Sequence, residues 1–578
     1  MVAAMSGWGP DGQGQWCGEG VGLGNLMLHV TPESLYERMP ASIRIAPHLV
    51  ITADARIDNR AEIFDALGTP AAGRTKTPDS SLILLAYERW GAECVKRLLG
   101  DFAFAIWDSR ERRLFCARDA FGCRPFVYFQ AATQFVFASD VKGVLACVES
   151  PRLHEPLLAA HLQMNSCYAQ KTLTFFEGVV KLPAGHTLTV AAGGVQTSQY
   201  WRPEDVPETR FGGEAEYAEQ LGDLFRQAVE CRVRSAFPIG AHLSGGLDSS
   251  AVTIAASGAW GELPVFSWSP APGKDAPMEG EYARIGAVCR QEGLRCEFAP
   301  TTTADLLESF QLDFTVEPTV MMARENPVQV RAQERGLRVI LSGWGGDEAV
   351  TCGAISRALR GGGGLRGLVS DLREMAVVRL PDSLYRLAVR DPYMKYESSC
   401  IQPAFARRYQ GEMNDLRIPG LRRFPDVRSR ICRLLEMGHV TLRAEQEAVS
   451  GARRGLVYRY PLLDRRLVEF ALGSACSDQR RALFRQAMGG RLPASVEWKG
   501  AKAEAATLAA LQREQIQAYS EWAQELAGRG DSPATNFVDP AKLAAAVQAG
   551  VKSRQMKDLS GVREAFGCYA ISARIPAS

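Results

Sequence analysis

The segment Ser244-Gly245-Gly246-Leu247-Asp248-Ser249-Ser250 constrains this chain more than any other. It follows an apolar run, Ile239–Leu243, and precedes Ala251–Ala256, which can continue as a helix. Two glycines let the backbone bend and come close to a ligand. The helix behind them aims free N–H groups and the positive end of its dipole at that ligand. Ser244, Ser249 and Ser250 add hydroxyl donors, and such a nest suits a pyrophosphate. Asp248 repels phosphate, so its presence calls for a bridging Mg²⁺. A glycine turn with a helix cap is the plainer account of a bare Ser-Gly-Gly. The complete strand–loop–helix pattern favours phosphate binding.

A second loop supports the first. Val339–Leu341 reads as a strand, and Ser342-Gly343-Trp344-Gly345-Gly346-Asp347-Glu348 follows it. Glycines there permit close backbone approach at the C-terminal end of a parallel strand, where ligands of open α/β sheets bind. Asp347 is the expected second carboxylate for Mg²⁺, beside Asp248. A surface turn is the alternative.

The rest of the chain divides by texture. Within residues 1–200, Leu49–Ala53, Phe102–Trp107, Arg113–Ala117, Phe126–Phe129, Phe135–Ala138 and Thr187–Val190 read as short strands, with one amphipathic helix over Ser80–Trp90. This predicts a layered β-rich domain. Residues 201–213 (WRPEDVPETRFGG) are the linker candidate. From 214 to 578 apolar runs alternate with helical spacing, and the pattern turns largely helical after about residue 365. The expected fold class is therefore β-rich plus α/β, the second domain built on a parallel sheet.

Composition excludes several classes. Lys plus Arg is 67 and Asp plus Glu is 65, a formal charge of +2, so the chain is not built as a whole to coat nucleic acid. Its 14 cysteines include no C-x-x-C pair, and with 7 histidines no zinc pattern emerges; free thiols in a reducing compartment are expected. No stretch approaches the ~20 apolar residues of a membrane helix. The segment MVAAMSGWGPDGQGQW lacks a signal-peptide pattern, so a cytoplasmic location without membrane partners is expected. Ala406–Glu445, rich in Arg, reads as a solvated helical face, with an acidic-peptide surface as the sharper alternative.

Together the two loops resemble the ATP-pyrophosphatase (PP-loop) synthetase domain of the asparagine synthetase family. Tyr460–Asp464 (YPLLD) and Leu492–Trp498 (LPASVEW) look like its C-terminal motifs, while Gly100–Phe129 and Leu182–Gly185 look like its glutaminase-type N-terminal domain. The resemblance implies ATP and Mg²⁺, activation of a carboxylate as its acyl-adenylate, and attack by an amine. It assigns ATP contacts to Ser244, Gly245, Gly246, Leu247, Asp248, Ser249, Ser250, Ser342 and Gly343, and the metal to Asp248 and Asp347. Trp268 lines the adenine site or packs in the core, and His242 reads as a packed core histidine. A family lysine that stabilises developing charge falls at Lys502, by a W-x-x-x-K spacing from Trp498, or at Lys499.

Departures from the pattern narrow the expectation. The family glutaminase needs an N-terminal Cys nucleophile, where this sequence has Met1-Val2. The glutamine-binding arginine falls at Met27 and an Asn-Gly pair at Asp54-Ala55, so the N-terminal domain is expected to be a catalytic relic. Some other amine is then the nucleophile. Trp344 replaces the glutamate of true asparagine synthetases, and SGWGGDE, FSWSPAP (266–272) and residues 449–471 look closest to lasso peptide cyclases. That branch implies a precursor core peptide as substrate, a leader-peptide protease as partner, and a macrolactam product. Val457 stands where the family pattern has Glu. A β-lactam-forming or other amide ligase, and a degenerate peptide binder, are the alternatives; a tRNA-modifying PP-loop enzyme lacks sequence support.

Overall fold

A computed structural model of the chain describes residues 1–162, 171–272, 280–311, 320–352, 400–415, 427–474, 480–497, 505–527 and 533–553, with residues 562, 565, 568 and 569. The N-terminal half is layered. A hairpin, β1 (Gly12–Gly18) and β2 (Val21–Met27), precedes β3 (Ala41–Ile43), β4 (Ala46–Ile57), β5 (Gly100–Asp108) and β6 (Arg113–Arg118). Next come β7 (Val127–Gln130), β8 (Phe135–Ala138), β9 (Val179–Lys181), β10 (His186–Ala191) and β11 (Gly194–Gln199). An antiparallel sheet runs β11-β10-β6-β5-β4-β3, and a smaller one runs β8-β7-β9. All but the first residue of β5 is buried, so that strand shows no inside–outside alternation. One of its faces packs on the helix Asp79–Trp90 through Leu82, Ile83 and Tyr87, whose ring stacks 5.1 Å from Phe115. The other face meets Phe126, Leu182 and Leu188. The glycine-rich hairpin β1–β2 is not among the strands that the sequence pattern picks out.

The second half holds a parallel sheet. Its strands are β12 (Ile239–His242), β13 (Val265–Ser267), β14 (Cys296–Phe298), β15 (Val339–Leu341) and β16 (Val457–Arg459), in the order β14-β13-β12-β15-β16. The chain steps outward from β12 to β14 and then returns to place β15 on the other side of β12. The order reverses between β12 and β15, which opens a crevice beyond their C-terminal ends. Strand β16 interrupts the otherwise helical C-terminal region and closes the sheet beside β15.

Residues 201–213 are docked rather than free. Trp201 is buried, its ring 5.2 Å from Phe121, and its indole N–H donates to Glu469 at 2.8 Å. Buried ion pairs join the two halves. Glu445, on the helix His439–Ala452, accepts from Arg118 at 2.8 Å and Lys181 at 2.6 Å. Arg232 reaches Asp464 at 2.8 Å and Asp58 at 3.4 Å. The cations around Glu445 hold its carboxyl below the usual range against the opposing cost of burial. Removing one partner of a buried pair leaves an uncompensated charge, at about 3–5 kcal/mol. Glu445→Ala should therefore lower unfolding stability by about that amount in urea titrations at neutral pH. Because the folded carboxyl titrates below the unfolded one, this contribution is present at neutral pH and is lost on acidification through the folded-state pKa.

Candidate active site

Both glycine loops lie at the crevice. The first leaves β12 through Leu243 and Ser244 and opens the helix Leu247–Trp260, with Gly246 as its N-cap. Gly245 has φ +68°, and a Cβ there would sit 3.0 Å from the Arg284 side chain. Within the loop the Ser244 and Ser249 hydroxyls are 2.9 Å apart, and Ser249 Oγ accepts the Ser244 N–H at 3.2 Å. The second loop leaves β15 and turns at Gly345, φ +97°, into a single π-helical turn, Gly346–Val350. Leu463, of the YPLLD segment, packs where a Gly345 side chain would go.

The two loops touch. A Cβ on Gly343 would lie 2.7 Å from the Ser249 amide nitrogen, and one on Gly346 would overlap the Asp248 carboxylate. Glycine is required at these positions by close packing of one loop on the other. Asp248 accepts from Thr351 Oγ1 at 2.9 Å, while Asp347 is ion-paired with Arg481. Glu348 turns back to accept the Gly345 N–H at 3.0 Å. Burial, and then the charge of Asp347, push the Asp248 carboxyl up to about 7, and the same two causes raise Glu348. Such crowding is what a cation relieves. Among the described residues no cluster of three or more ligands could hold a metal by itself. Two carboxylates with phosphate oxygens completing the shell is the usual arrangement for Mg²⁺, and these residues fit it.

Behind the loops lies a feature that sequence reasoning missed. Trp344 packs 5.1 Å from the His439 ring, and the Arg443 guanidinium lies 4.3 Å over the Trp344 ring. Trp268 is flanked by His242, at 4.9 Å, and by the Arg324 guanidinium, at 4.7 Å. Neither indole N–H has a hydrogen-bond partner among the described residues. His242 is buried, as read from the sequence, and it faces Glu325 at 3.1 Å. The i, i+4 pair Arg443–Glu447 was the available signal in the sequence. Lys499 and Lys502, with Trp498, lie outside the described residues, as does the GGGG segment 361–364.

In the N-terminal half a cavity of about 490 Å³ is lined by Met1, Val2, Asn25, Met27, Asp54 and Ala55, among others, and reaches Val457, Tyr458 and Tyr460 of the synthetase half. Asp54 lies 3.4 Å from Arg124. Two cysteines, Cys123 and Cys147, line it as well, and burial drives the Cys123 thiol well above its ordinary value. A thiol so raised is a poor nucleophile.

The fold and site define a two-part protein, an amidotransferase-type layer joined to a parallel-sheet domain that carries the two glycine loops. Residues 220–565 match the asparagine synthase family and residues 1–201 match a glutamine amidotransferase domain. The chain belongs to the asparagine synthase family. It is 29% identical over 273 residues to "Asparagine synthetase [glutamine-hydrolyzing] 3" of Bacillus subtilis, covering 46% of this chain and 44% of the relative. It is 28% identical over 267 residues to "Putative asparagine synthetase [glutamine-hydrolyzing] 2" of Methanocaldococcus jannaschii, covering 44% and 52%. With "Amidase chry2" of Gibberella zeae it shares 27% over 257 residues, covering 42% and 36%. The matches thus span about half, or less, of the length of these curated relatives. No helix of the described residues is long and apolar enough to cross a membrane.

The contact between the loops predicts a sharp steric effect. Overpacking of this kind costs about 1–3 kcal/mol. Gly343→Ala should therefore weaken MgATP binding about tenfold or more by calorimetry, with the circular dichroism spectrum unchanged.

Proposed function

We propose that this chain is an ATP-dependent amide ligase that adenylates a side-chain carboxylate of a peptide and closes a macrolactam on the peptide's N-terminal amine, as lasso peptide cyclases do. The observation that carries the ligase part is the contact between the two glycine loops at the switch point of the sheet. It puts amide donors, serine hydroxyls and two carboxylates around one space. A bound Mg²⁺ would be held by Asp248 and Asp347 and would neutralise charge on the pyrophosphate. Ser244, Gly245, Gly246, Leu247, Ser249 and Ser250 cradle the phosphates, helped by Ser342 and Gly343. Trp344 fills the position of a glutamate that would serve a small amino-acid substrate. The peptide specificity rests on this residue and on the resemblance of the surrounding segments. Release of pyrophosphate and AMP, the core peptide, a protease partner and a cytoplasmic setting belong to the same proposal.

The nitrogen source follows from the N-terminal cavity. Met27 and Asp54-Ala55 line it at positions where a glutaminase needs an arginine and an amide pair. Glutamine hydrolysis is not expected, and the peptide supplies its own amine. The purified chain given glutamine and ATP should release no glutamate; release at a rate matching product formation would overturn this part.

The test of the ligase needs a candidate core peptide, sought as a short open reading frame next to the gene and made without its leader. Loss of one water from that peptide, read by mass spectrometry and dependent on ATP, is the expected result. Asp248→Asn and Asp347→Asn should each abolish ATP–pyrophosphate exchange. Lys502→Ala should leave binding intact and slow cyclisation by about 10²-fold or more, the scale for losing one electrostatic stabiliser. Lys499→Ala should do much less. The reverse pattern would move the role to Lys499.

A further inference from the structure

A buried arginine with no carboxylate partner stands in the wall of the N-terminal cavity. Arg459, the last residue of β16, is 1% exposed and lines that cavity with Val457, two positions before it on the same face of the strand. Its main chain is pinned, because the Arg459 carbonyl accepts the Ser342 N–H at 2.9 Å. Nη1 donates to the carbonyls of Arg232 at 2.6 Å and Arg234 at 2.8 Å, at the C-terminal end of the helix Glu214–Val233. A helix end offers about half a unit of negative charge, so this cap leaves part of the cation uncompensated. Nε has no hydrogen-bond partner, and no ion pair joins the guanidinium to a carboxylate among the described residues. Val457, where the family pattern has Glu, leaves that face of the strand without an acid.

The nearby acids are engaged elsewhere. Asp58 and Asp101 bind Arg56 at 2.8 and 2.6 Å, and Asp464 binds Arg232 at 2.8 Å. Burial, and then the charges of Arg56 and Arg234, hold the Arg459 guanidinium well below its ordinary value. Arginine does not escape such a site by losing its proton, so a buried guanidinium calls for a counter-ion. The N-terminal half adds a second cation to the same cavity. Arg124 lines it with a side chain 11% exposed, its Nε also lacks a hydrogen-bond partner, and its ion-pair partner Asp54 lies 3.4 Å away. The two guanidiniums are close enough to repel each other. Asp54 and Glu37 are the acids of the lining, and burial pushes the Glu37 carboxyl up to about 7, so it is half neutral at neutral pH. Val2, Met27, Phe104 and Phe137 give the cavity an apolar surface.

We propose that this cavity binds a small organic carboxylate, whose oxygens take the open N–H groups of Arg459 and Arg124 while its carbon skeleton lies on the apolar lining. The unpartnered donors on two cations select an anion. A carboxylate suits the space better than a phosphate, because Asp54 repels a dianion more strongly and the apolar lining favours a carbon skeleton. A volume of about 490 Å³ is that of a small-molecule pocket. The site differs from a glutamine pocket. Met27 stands where the glutamine carboxylate would need its arginine, whereas Arg459 comes from the synthetase half. Binding here requires neither ATP nor a peptide substrate, so it holds or fails separately from the ligase reading.

The probe is butyrate, titrated into the full chain without ATP and followed by ligand-observed nuclear magnetic resonance. Butyrate should bind, and butyramide, uncharged and of the same shape, should bind about tenfold more weakly or worse, the scale for losing one charge-assisted hydrogen bond. Arg459→Gln should weaken butyrate by about tenfold or more for the same reason. Arg124→Gln, at a partly exposed position, should act in the same direction, and it decides the matter if circular dichroism shows that Arg459→Gln does not fold. An acetylated tripeptide ending in a free valine carboxylate, set against its C-terminal amide, separates a peptide chain end from a free acid. Preference for either acid over its amide supports the site, and the tighter of the two names the source. Equal binding of acid and amide, no binding of either acid at millimolar concentration, or unchanged butyrate affinity in the deciding variant would each overturn the proposal. Tighter binding of glutamine than of butyrate would overturn it as well, since the cavity would then keep the ligand of a glutaminase.

Discussion

The structure turns on one steric fact: the backbone of one glycine loop rests on the backbone of another. A side chain on Gly343 would collide with the Ser249 amide, and one on Gly346 with the Asp248 carboxylate. That contact requires β12 and β15 to be neighbours running in the same direction, which in turn requires the chain to cross back after β14. Everything polar in the crevice inherits its place from this arrangement. Asp248 and Asp347 are brought together at the cost of mutual repulsion, which Arg481 and Thr351 offset in part. A site that stores such repulsion is ready for a cation and an anion to enter together.

The second constraint is the seam between the halves. Arg118, Lys181 and Glu445 meet there with almost no exposure, and so do Arg232, Asp58 and Asp464. Pairs buried this deeply add little net stability over an apolar contact, but they tolerate no wrong partner. They fix the register of the N-terminal layer against the helix His439–Ala452 and β16. Those two elements carry Glu447 on one side and the cavity wall on the other. The N-terminal half therefore serves the synthetase half as a wall, whatever chemistry its own cavity retains. Trp201, pinned by Glu469, shows that the connection between the halves takes part in this seam.

Buried carboxylates give the interior its electrical character. Glu325 and Glu447 repel each other, and the cations and hydroxyls around them settle the conflict unequally. This asymmetry depends on which groups each one touches. Of the two carboxylates, His242 meets Glu325, while Arg443 donates to Glu447 and stacks on Trp344 at the same time. The arginine thus links the loop that bears Asp347 to the carboxylate behind it.

Local patterns in the sequence were enough to place both glycine loops after strands, to find most strands of the N-terminal layer, and to mark His242 as a core residue. Strand ends, glycine turns and helical spacing are properties of a few consecutive residues, so a linear reading reaches them. The hairpin β1–β2 escaped because its glycines dilute the apolar alternation, and β16 because three residues between helical stretches carry no period. Neither could the sequence tell that Glu445 is spent on Arg118 and Lys181 while Glu447, two positions on, faces Tyr460. On a helix two positions turn a side chain by about 200°. Which neighbour waits there depends on the order of strands in the sheet and on the packing of the two halves. The composition of the loops was a local matter, settled by what glycine permits. The pairing of the buried charges was decided only in three dimensions, because it joins groups from segments hundreds of residues apart.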